Sequence, residues 1–498
     1  MAVRTGQQYI ESLRNNPREV YVNGRKIDDV TEAPEFKKAI QTIARIYDLK
    51  HDPRFQSVLT YTDESGERFD LSYLIPRSAE DLARKREAFK TIAKCSYGTM
   101  GRSPDYMNSY VTGLAIQSAY YGKYNPVFQK RILDFYEYVK RNDIYMTHAL
   151  GTPQIDRSKK SSEQRDPFLH LGVKEETSEG IIIRGAKQLA TNAPIANELV
   201  VFPNGRAFGP GDERYCFAIA IPLSTPGLKI YCRQPLVEAE RRNVYDHPLS
   251  SRFEESDALI IFEDVFVPWE RVFFHNQLEI ANNARSETSS GSPLYQQSAV
   301  RAYVKAGMAA AIAHKLADSV KTNVYPQVAE RIGHVIALAK AAESMMIAAE
   351  QTARPNAEGI WSLNVDICGA MSILYPKFYS EMLDLIKKLG QAGLMLTPSA
   401  YDFVGPGADD YIRYFSGAEM NGIDRAQIGK LAWDFVGDSF AQRLELYERN
   451  YAGDPMFYAA GYSKRANISE WLEMVDGLLA EGKQFLESIG SQETVGNK

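Results

Sequence analysis

ALIIFEDVFV at residues 258–267, together with GIIIRGAKQLA at residues 180–190, decides how the fold is read. Both runs are short, rich in Ile, Val and Phe, and bounded by Gly, Pro, Asn or Asp, the pattern of strands separated by turns. Residues 198–202, 215–222 and 227–233 repeat that texture. Together they predict a small all-β region over residues 146–275, built as a barrel or sandwich.

On either side the apolar period changes to that of helices. Residues 32–47 and 78–96 carry apolar side chains at three- and four-residue spacing among charges. Ser103-Pro104-Asp105 reads as a helix start, with a capping hydroxyl, proline at the first helical position and an acid in the first turn. Long helical segments return at 300–322, 328–353, 365–394 and 424–450. Several are apolar on more than one face, which suits a bundle core and packing between subunits. The expectation is an α+β chain of three domains: helical over 1–145, β over 146–275, and a helical bundle over 276–498 that also carries oligomerisation.

Composition narrows the function. The chain has 498 residues, 44% hydrophobic and 24% charged, which excludes a collagen-like or largely disordered protein. Lys and Arg total 58 against 63 Asp and Glu, so the basic excess of a nucleic-acid binder is missing. The 29 tyrosines suit large interfaces or aromatic-lined pockets. The first residues carry no apolar signal core, and the purest apolar stretch, 306–313, is far short of the ~20 residues that span a bilayer. Cys95, Cys216, Cys232 and Cys368 form no CxxC pair, so a cytoplasmic protein with reduced thiols is expected. No dinucleotide-binding GxGxxG follows a strand, and there is no P-loop, HExxH or GxSxG. The histidines show no i,i+4 pair and no nearby Cys, so no metal site is expected.

Five segments in order go further: GRSPDY (101–106), THALGTPQIDRS (147–158), GAKQLATNAP (185–194), HPLSSRFEESDALIIFEDVFVPWERVF (247–273) and ELYERNYAGDP (445–455). The chain resembles the two-component, reduced-flavin-dependent phenol hydroxylases, the family of the oxygenase component of 4-hydroxyphenylacetate 3-monooxygenase, over nearly its whole length. The resemblance implies an acyl-CoA-dehydrogenase-like fold: N-terminal helices, a middle β-barrel, and a C-terminal bundle that assembles homotetramers. It implies a monooxygenase of aromatic catabolism that ortho-hydroxylates 4-substituted phenols such as 4-hydroxyphenylacetate to catechols. The cofactor is then FAD, arriving as FADH2 from a separate NAD(P)H:flavin reductase by diffusion or transient contact. With O2 as co-substrate, oxygen passes from a flavin hydroperoxide to the ring. That division of labour accounts for the missing dinucleotide fingerprint. A flavin-dependent acyl-CoA dehydrogenase or dehydratase on the same fold is the alternative. GRSPDY argues against the dehydrogenase, and the isolated Cys95 against the iron–sulfur dehydratases. The segment 292–300, SPLYQQSAV, lacks the histidine of the family's chlorophenol hydroxylases.

The site residues follow. Arg102 and Tyr106 flank a helix start, where both can aim at one point near the positive end of the dipole. Alone they read as a surface arginine and a packing tyrosine; by resemblance they bind the phenol oxygen. His148 stands before the break at Gly151-Thr152-Pro153, and imidazole titrates near neutrality, which suits a base. A lone histidine is more often structural; the resemblance makes His148 the base. By resemblance Gln154, Ile155, Asp156 and Arg157 lie along the flavin, Thr191 reaches its N5 or O4, and Gly453, Asp454, Pro455 and Met456 lie near its nucleotide portion. Locally these are polar loops and turns. Between two strand-like runs lies a Gly/Pro-rich loop with Asn204, Gly205, Arg206 and Phe208. By resemblance it covers the substrate end remote from the phenol oxygen. Arg206 pairing with a substrate carboxylate, or standing free in water, are both open readings.

Overall fold

The computed structural model describes residues 3–203, 207–238, 242–288, 291–450 and 455–495. Met1–Arg449 form one compact unit and Asn450–Lys498 a second.

The first unit begins on helix Gly6–Arg14, whose start is a capping box. The Thr5 hydroxyl accepts from the Gln8 N–H and the Gln8 side chain accepts from the Thr5 N–H. The next residues depart from the helical expectation for this zone. Glu19–Val22 and Arg25–Ile27 form a hairpin on the edge of a six-stranded sheet, in the spatial order Arg25–Ile27, Glu19–Val22, Leu228–Cys232, Ala258–Pro268, Gly180–Lys187, Gly172–Glu176. Glu19–Val22 runs parallel to Leu228–Cys232; the other neighbours are antiparallel. A second, four-stranded sheet runs Val272–Phe274, Ala218–Pro222, Glu198–Val201, Met146–Ala149. Among the described residues the β region is therefore two open sheets, and the expected closed barrel is not found. The alternation that suggested a barrel is real: Ile260, Phe262, Val265 and Val267 are all buried. Inward-facing alternation fits two layers as well as one closed layer.

The helices pack around these sheets. Pro104–Ile116 starts as expected, with Pro104 at the first position and Asp105 in the first turn. The Ser103 hydroxyl, however, caps no backbone N–H. Pro126–Asn142 is capped by Asn125 and stops at Asp143, which takes a left-handed conformation. Pro326–Gln351 is long and apolar enough to cross a membrane by length and composition. It packs between Ser292–Ser319 and Val365–Gly390 and buries Val335, Ala342 and Met346 against them. The second unit consists of helices Pro455–Arg465 and Ser469–Val495. The latter exposes Trp471, Leu478, Leu479, Phe485 and Leu486.

One buried charge cluster ties the N-terminal helices together. Lys50, 1% exposed, reaches both oxygens of Asp143 at 2.9 Å and Asp70 at 2.5 Å. Taking away one member of such a cluster leaves the others as uncompensated buried charge, which costs about 3–5 kcal/mol. Lys50→Met should therefore lower the urea midpoint of the folded protein by a corresponding amount, and an unchanged midpoint would show that the cluster does not hold these helices.

Candidate active site

Met146–Ala149 lies parallel to Glu198–Val201, with His148 opposite Val200. This places the imidazole beside the N-terminus of helix Pro104–Ile116. Arg102, one residue outside that helix's N-cap, donates from Nε to His148 Nε2 at 3.1 Å. Its guanidinium lies 4.0 Å from the centre of the Tyr106 ring, and Tyr106 stacks on His148 at 5.7 Å. The three residues expected to meet the phenol oxygen thus converge. A fourth group joins them: Tyr447, on helix Ser439–Asn450, accepts a hydrogen bond from Arg102 Nη1. Gly101 makes that approach possible, since a Cβ there would collide with the Tyr447 ring and hydroxyl.

Electrostatics sharpen the picture. An Nε2 that accepts from Arg102 leaves the ring proton on Nδ1. His148 Nδ1 is shielded from solvent and has no hydrogen-bond partner. Burial, and then the Arg102 cation, hold the His148 pKa well below its ordinary value. Both causes disfavour the imidazolium form. Burial pushes the Tyr447 phenol up to about 12, so it stays protonated.

Carboxylates hold this cluster from behind. Glu255 accepts the Arg102 backbone N–H at 2.6 Å and Arg443 Nη1 at 2.9 Å. Arg443 also donates to Asp257, from Nη2 at 2.7 Å and Nε at 3.1 Å. Asp257 takes a further bond from Arg233 Nε at 3.2 Å and accepts the Thr191 hydroxyl at 2.8 Å. Burial opposes ionisation of Asp257, but Arg443 and Arg233 prevail and hold its carboxyl far below the usual range. Behind Tyr447, buried Glu448 pairs with Arg301 at 2.6 and 3.1 Å and with Lys305, and is held down to about 2 against burial.

The loops expected along the flavin lie beside this network. Gln188 N–H donates to Gly151 O at 2.8 Å, which sets the start of the 151–157 loop against residues 188–191. His170 secures the loop through Pro153 O at 3.1 Å and Ser161 Oγ at 2.9 Å. Gln154, Ile155 and Arg157 are exposed, and Asp156 is half-buried and bonded to Ser158. Thr191 is buried, its carbonyl accepting Thr147 Oγ1 at 2.5 Å. It precedes Asn192, held in a left-handed turn by Ser256 and Tyr145. Two exposed apolar side chains on adjacent loops, Ile155 and Leu189, with the exposed Gln154 amide and Arg157 guanidinium on the first of those loops, are groups that suit a flavin.

Phe208 is half-buried, its backbone clipped to Asn282 by bonds of 2.8 and 3.0 Å. Asn204, Gly205 and Arg206 lie outside the described residues, as do Gly453 and Asp454. Pro455 and Met456 open helix Pro455–Arg465 in the second unit, both exposed. Tyr447, Glu255, Asp257 and Arg443 were not singled out from the sequence. Glu255, Asp257 and Tyr447 sit inside the motif segments 247–273 and 445–455, with Arg443 two residues before the second, and acidic residues leading straight into an apolar strand were the available signal.

Arg102, His148, Tyr106 and Tyr447 thus form a cationic pole with an imidazole and two phenols on an α+β scaffold, an arrangement that suits an oxygen-bearing aromatic ligand. Comparison with known proteins agrees. Residues 5–274 match the family described as 4-hydroxyphenylacetate 3-hydroxylase N terminal, and residues 281–480 the one described as 4-hydroxyphenylacetate 3-hydroxylase C terminal. The chain is 37% identical over 486 residues to the 4-hydroxyphenylacetate 3-monooxygenase oxygenase component of Thermus thermophilus, covering 98% of this chain and 99% of that protein. A crystal structure of the oxygenase component of 4-hydroxyphenylacetate 3-monooxygenase, complexed with FAD and 4-hydroxyphenylacetate, superposes with a TM-score of 0.92 at 37% identity. It covers 97% of this chain and 100% of that one. An oxygen-tolerant archaeal 4-hydroxybutyryl-CoA dehydratase from N. maritimus shares the fold, with a TM-score of 0.86 at 21% identity over 96% of this chain and 95% of that one. The chain belongs to the 4-hydroxyphenylacetate 3-hydroxylase family.

The depressed His148 pKa has a measurable sign. Below its ordinary value of 6.5 the unfolded chain takes up a proton that the folded chain refuses. His148 therefore makes stability fall as pH drops from there toward the folded-state pKa, by up to about 1.4 kcal/mol per pH unit. His148→Gln should flatten the wild-type loss of stability between pH 6.5 and 5 in urea titrations. Identical pH profiles for the two proteins would place the His148 pKa at its ordinary value.

Proposed function

We propose that this chain is the oxygenase component of a two-component monooxygenase that converts 4-substituted phenols such as 4-hydroxyphenylacetate to catechols. FADH2 comes from a separate NAD(P)H:flavin reductase, and O2 is the co-substrate. The convergence of Arg102, His148, Tyr106 and Tyr447 carries this reading. It is supported by family membership and by the FAD- and 4-hydroxyphenylacetate-bound relative.

The residues suggest how the phenol is prepared. An entering phenol oxygen replaces the direct Arg102–His148 bond. Arg102 then donates to that oxygen and lowers its pKa by its charge, as an adjacent cation does. His148 Nε2, released from Arg102 and already neutral, accepts the phenol proton. Arg102 and burial disfavour imidazolium, so His148 holds the proton only while the phenolate stands beside it. Tyr447, protonated, supplies a neutral polar contact. The resulting phenolate is electron-rich at its ortho carbon, the position to be hydroxylated. When bound, reduced FAD supplies the activated oxygen. Thr191, its hydroxyl proton committed to Asp257, and the 154–157 loop are assigned to holding it.

Three features complete the proposal. The exposed apolar face of Ser469–Val495 and the broadly apolar bundle helices support a homotetramer. The four free cysteines support a reducing, cytoplasmic setting. The helical, β and helical zones over 1–145, 146–275 and 276–498 are proposed as the domains of an acyl-CoA-dehydrogenase-like architecture.

With NADH and FAD alone, the purified chain should make no catechol. Adding any competent flavin reductase should yield product heavier by one oxygen. Arg102→Ala should lower hydroxylation by about 100- to 1,000-fold, the usual cost of one electrostatic contact to a developing charge. Hydrogen peroxide release from reduced flavin should continue. NADH oxidation by the lone chain at turnover rates, or full hydroxylation by Arg102→Ala, would overturn the assignment.

A further inference from the structure

Beneath the network that holds Arg102 lies a cluster the proposed reaction does not use. Among the described residues, ligand atoms of His247, Asp434 and Asp438 lie within 4.8 Å of one another. They come from three separate pieces of the architecture. His247 opens the segment that leads through the short helix Ser250–Phe253 to Glu255 and Asp257. Asp434 sits in the last turn of helix Gly422–Val436. Asp438 directly precedes helix Ser439–Asn450, which carries Arg443, Tyr447 and Glu448.

The hydrogen bonds of this cluster are half complete. Asp434 is fully buried, and its Oδ2 accepts the N–H groups of Leu249 at 2.5 Å and Ser250 at 2.9 Å. Its other oxygen, Oδ1, is buried with no hydrogen-bond partner, and so is Nδ1 of His247. Asp438 Oδ1 accepts the Ala441 N–H at 2.9 Å. A buried carboxylate oxygen without a partner is costly, and two carboxylates facing each other repel. Asp434 stands moreover at a helix C-terminus, where the dipole disfavours a negative charge. The cation on this face, Lys430, is directed to Asp246 at 3.3 Å. A positive charge between the carboxylates would resolve every one of these deficits.

We propose that His247, Asp434 and Asp438 form a structural site for one divalent first-row cation of the zinc type. One imidazole nitrogen and two carboxylate oxygens are the ligand types that zinc accepts, with water completing the shell. Calcium and magnesium, which prefer all-oxygen shells, fit less well. Half-buried His247 and Asp438 leave the cluster open to an entering ion. The ion would fasten the His247–Asp257 segment to the start of the Tyr447 helix, and so set the spacing of Glu255 and Arg443. It holds no substrate and takes part in no bond change; it acts by positioning. Local spacing hides the site, because the histidine and the acids are far apart in sequence.

The test uses the full chain, free of any affinity tag, stripped with EDTA and dialysed. Titration with Co2+ should give visible d–d bands that saturate at one ion per chain and are bleached by Zn2+. His247→Ala and Asp438→Asn should each weaken cobalt binding by more than the 10- to 100-fold that loss of an outer-sphere partner typically causes. Zn2+, but not Ca2+, should raise the melting temperature of the wild type and leave that of His247→Ala unchanged. If a variant fails to fold, the wild-type stoichiometry and the zinc-against-calcium contrast decide alone. Cobalt binding as weak in the wild type as in folded His247→Ala, or a wild-type melting temperature indifferent to zinc, would overturn the proposal. The two carboxylates would then share only a proton.

Discussion

Arg443 is the interaction on which the site depends. Its guanidinium is buried between Glu255 and Asp257, and the two carboxylates hold its pKa above the usual value despite desolvation. Each carboxylate then has a second duty. Glu255 fixes the backbone of Arg102, and Asp257 fixes the hydroxyl of Thr191. One cation thereby sets the distance between the pole proposed to bind the phenol and the loop assigned to the flavin. Buried ion pairs of this kind contribute little net stability, because desolvation offsets the Coulomb gain. Their effect here is geometric.

The helix that supplies Arg443 also supplies Tyr447 and Glu448. Glu448 is locked by Arg301 and Lys305 from the long bundle helix Ser292–Ser319. That lock fixes the rotation of helix Ser439–Asn450 about its own axis, so Arg443 and Tyr447 face the sheets together. Gly101 allows Tyr447 to approach the Arg102 guanidinium. Bundle, sheets and N-terminal helices thus each contribute one wall, and no single segment contains the site.

This distribution explains what the sequence disclosed. The strands at 180–187 and 258–268 were legible because alternation and turn residues coincide there. The helix at Pro104 was legible from its start signal. Arg102, Tyr106 and His148 were reached through motif resemblance, since nothing local distinguishes them from a surface arginine, a packing tyrosine and a structural histidine. The hairpin at Glu19–Ile27 escaped because strands this short leave little period, and its parallel partner lies some two hundred residues away. The barrel expectation failed because alternation reports which face is buried, not whether the sheet closes. Arg443 and Asp257 escaped because their partners are distant in sequence, and a charged residue reads as solvated until its burial is known.

The account stands on the claim that Arg102 holds the substrate oxygen as an anion beside His148. A chromophoric 4-substituted phenol, titrated with pH in complex with the flavin-free protein, tests this directly, because phenol and phenolate differ in absorbance. The account predicts that the bound phenol ionises at lower pH than in water, and that the difference disappears in Arg102→Ala. A bound phenol that ionises at its solution pKa, or a shift that survives the loss of Arg102, would contradict it.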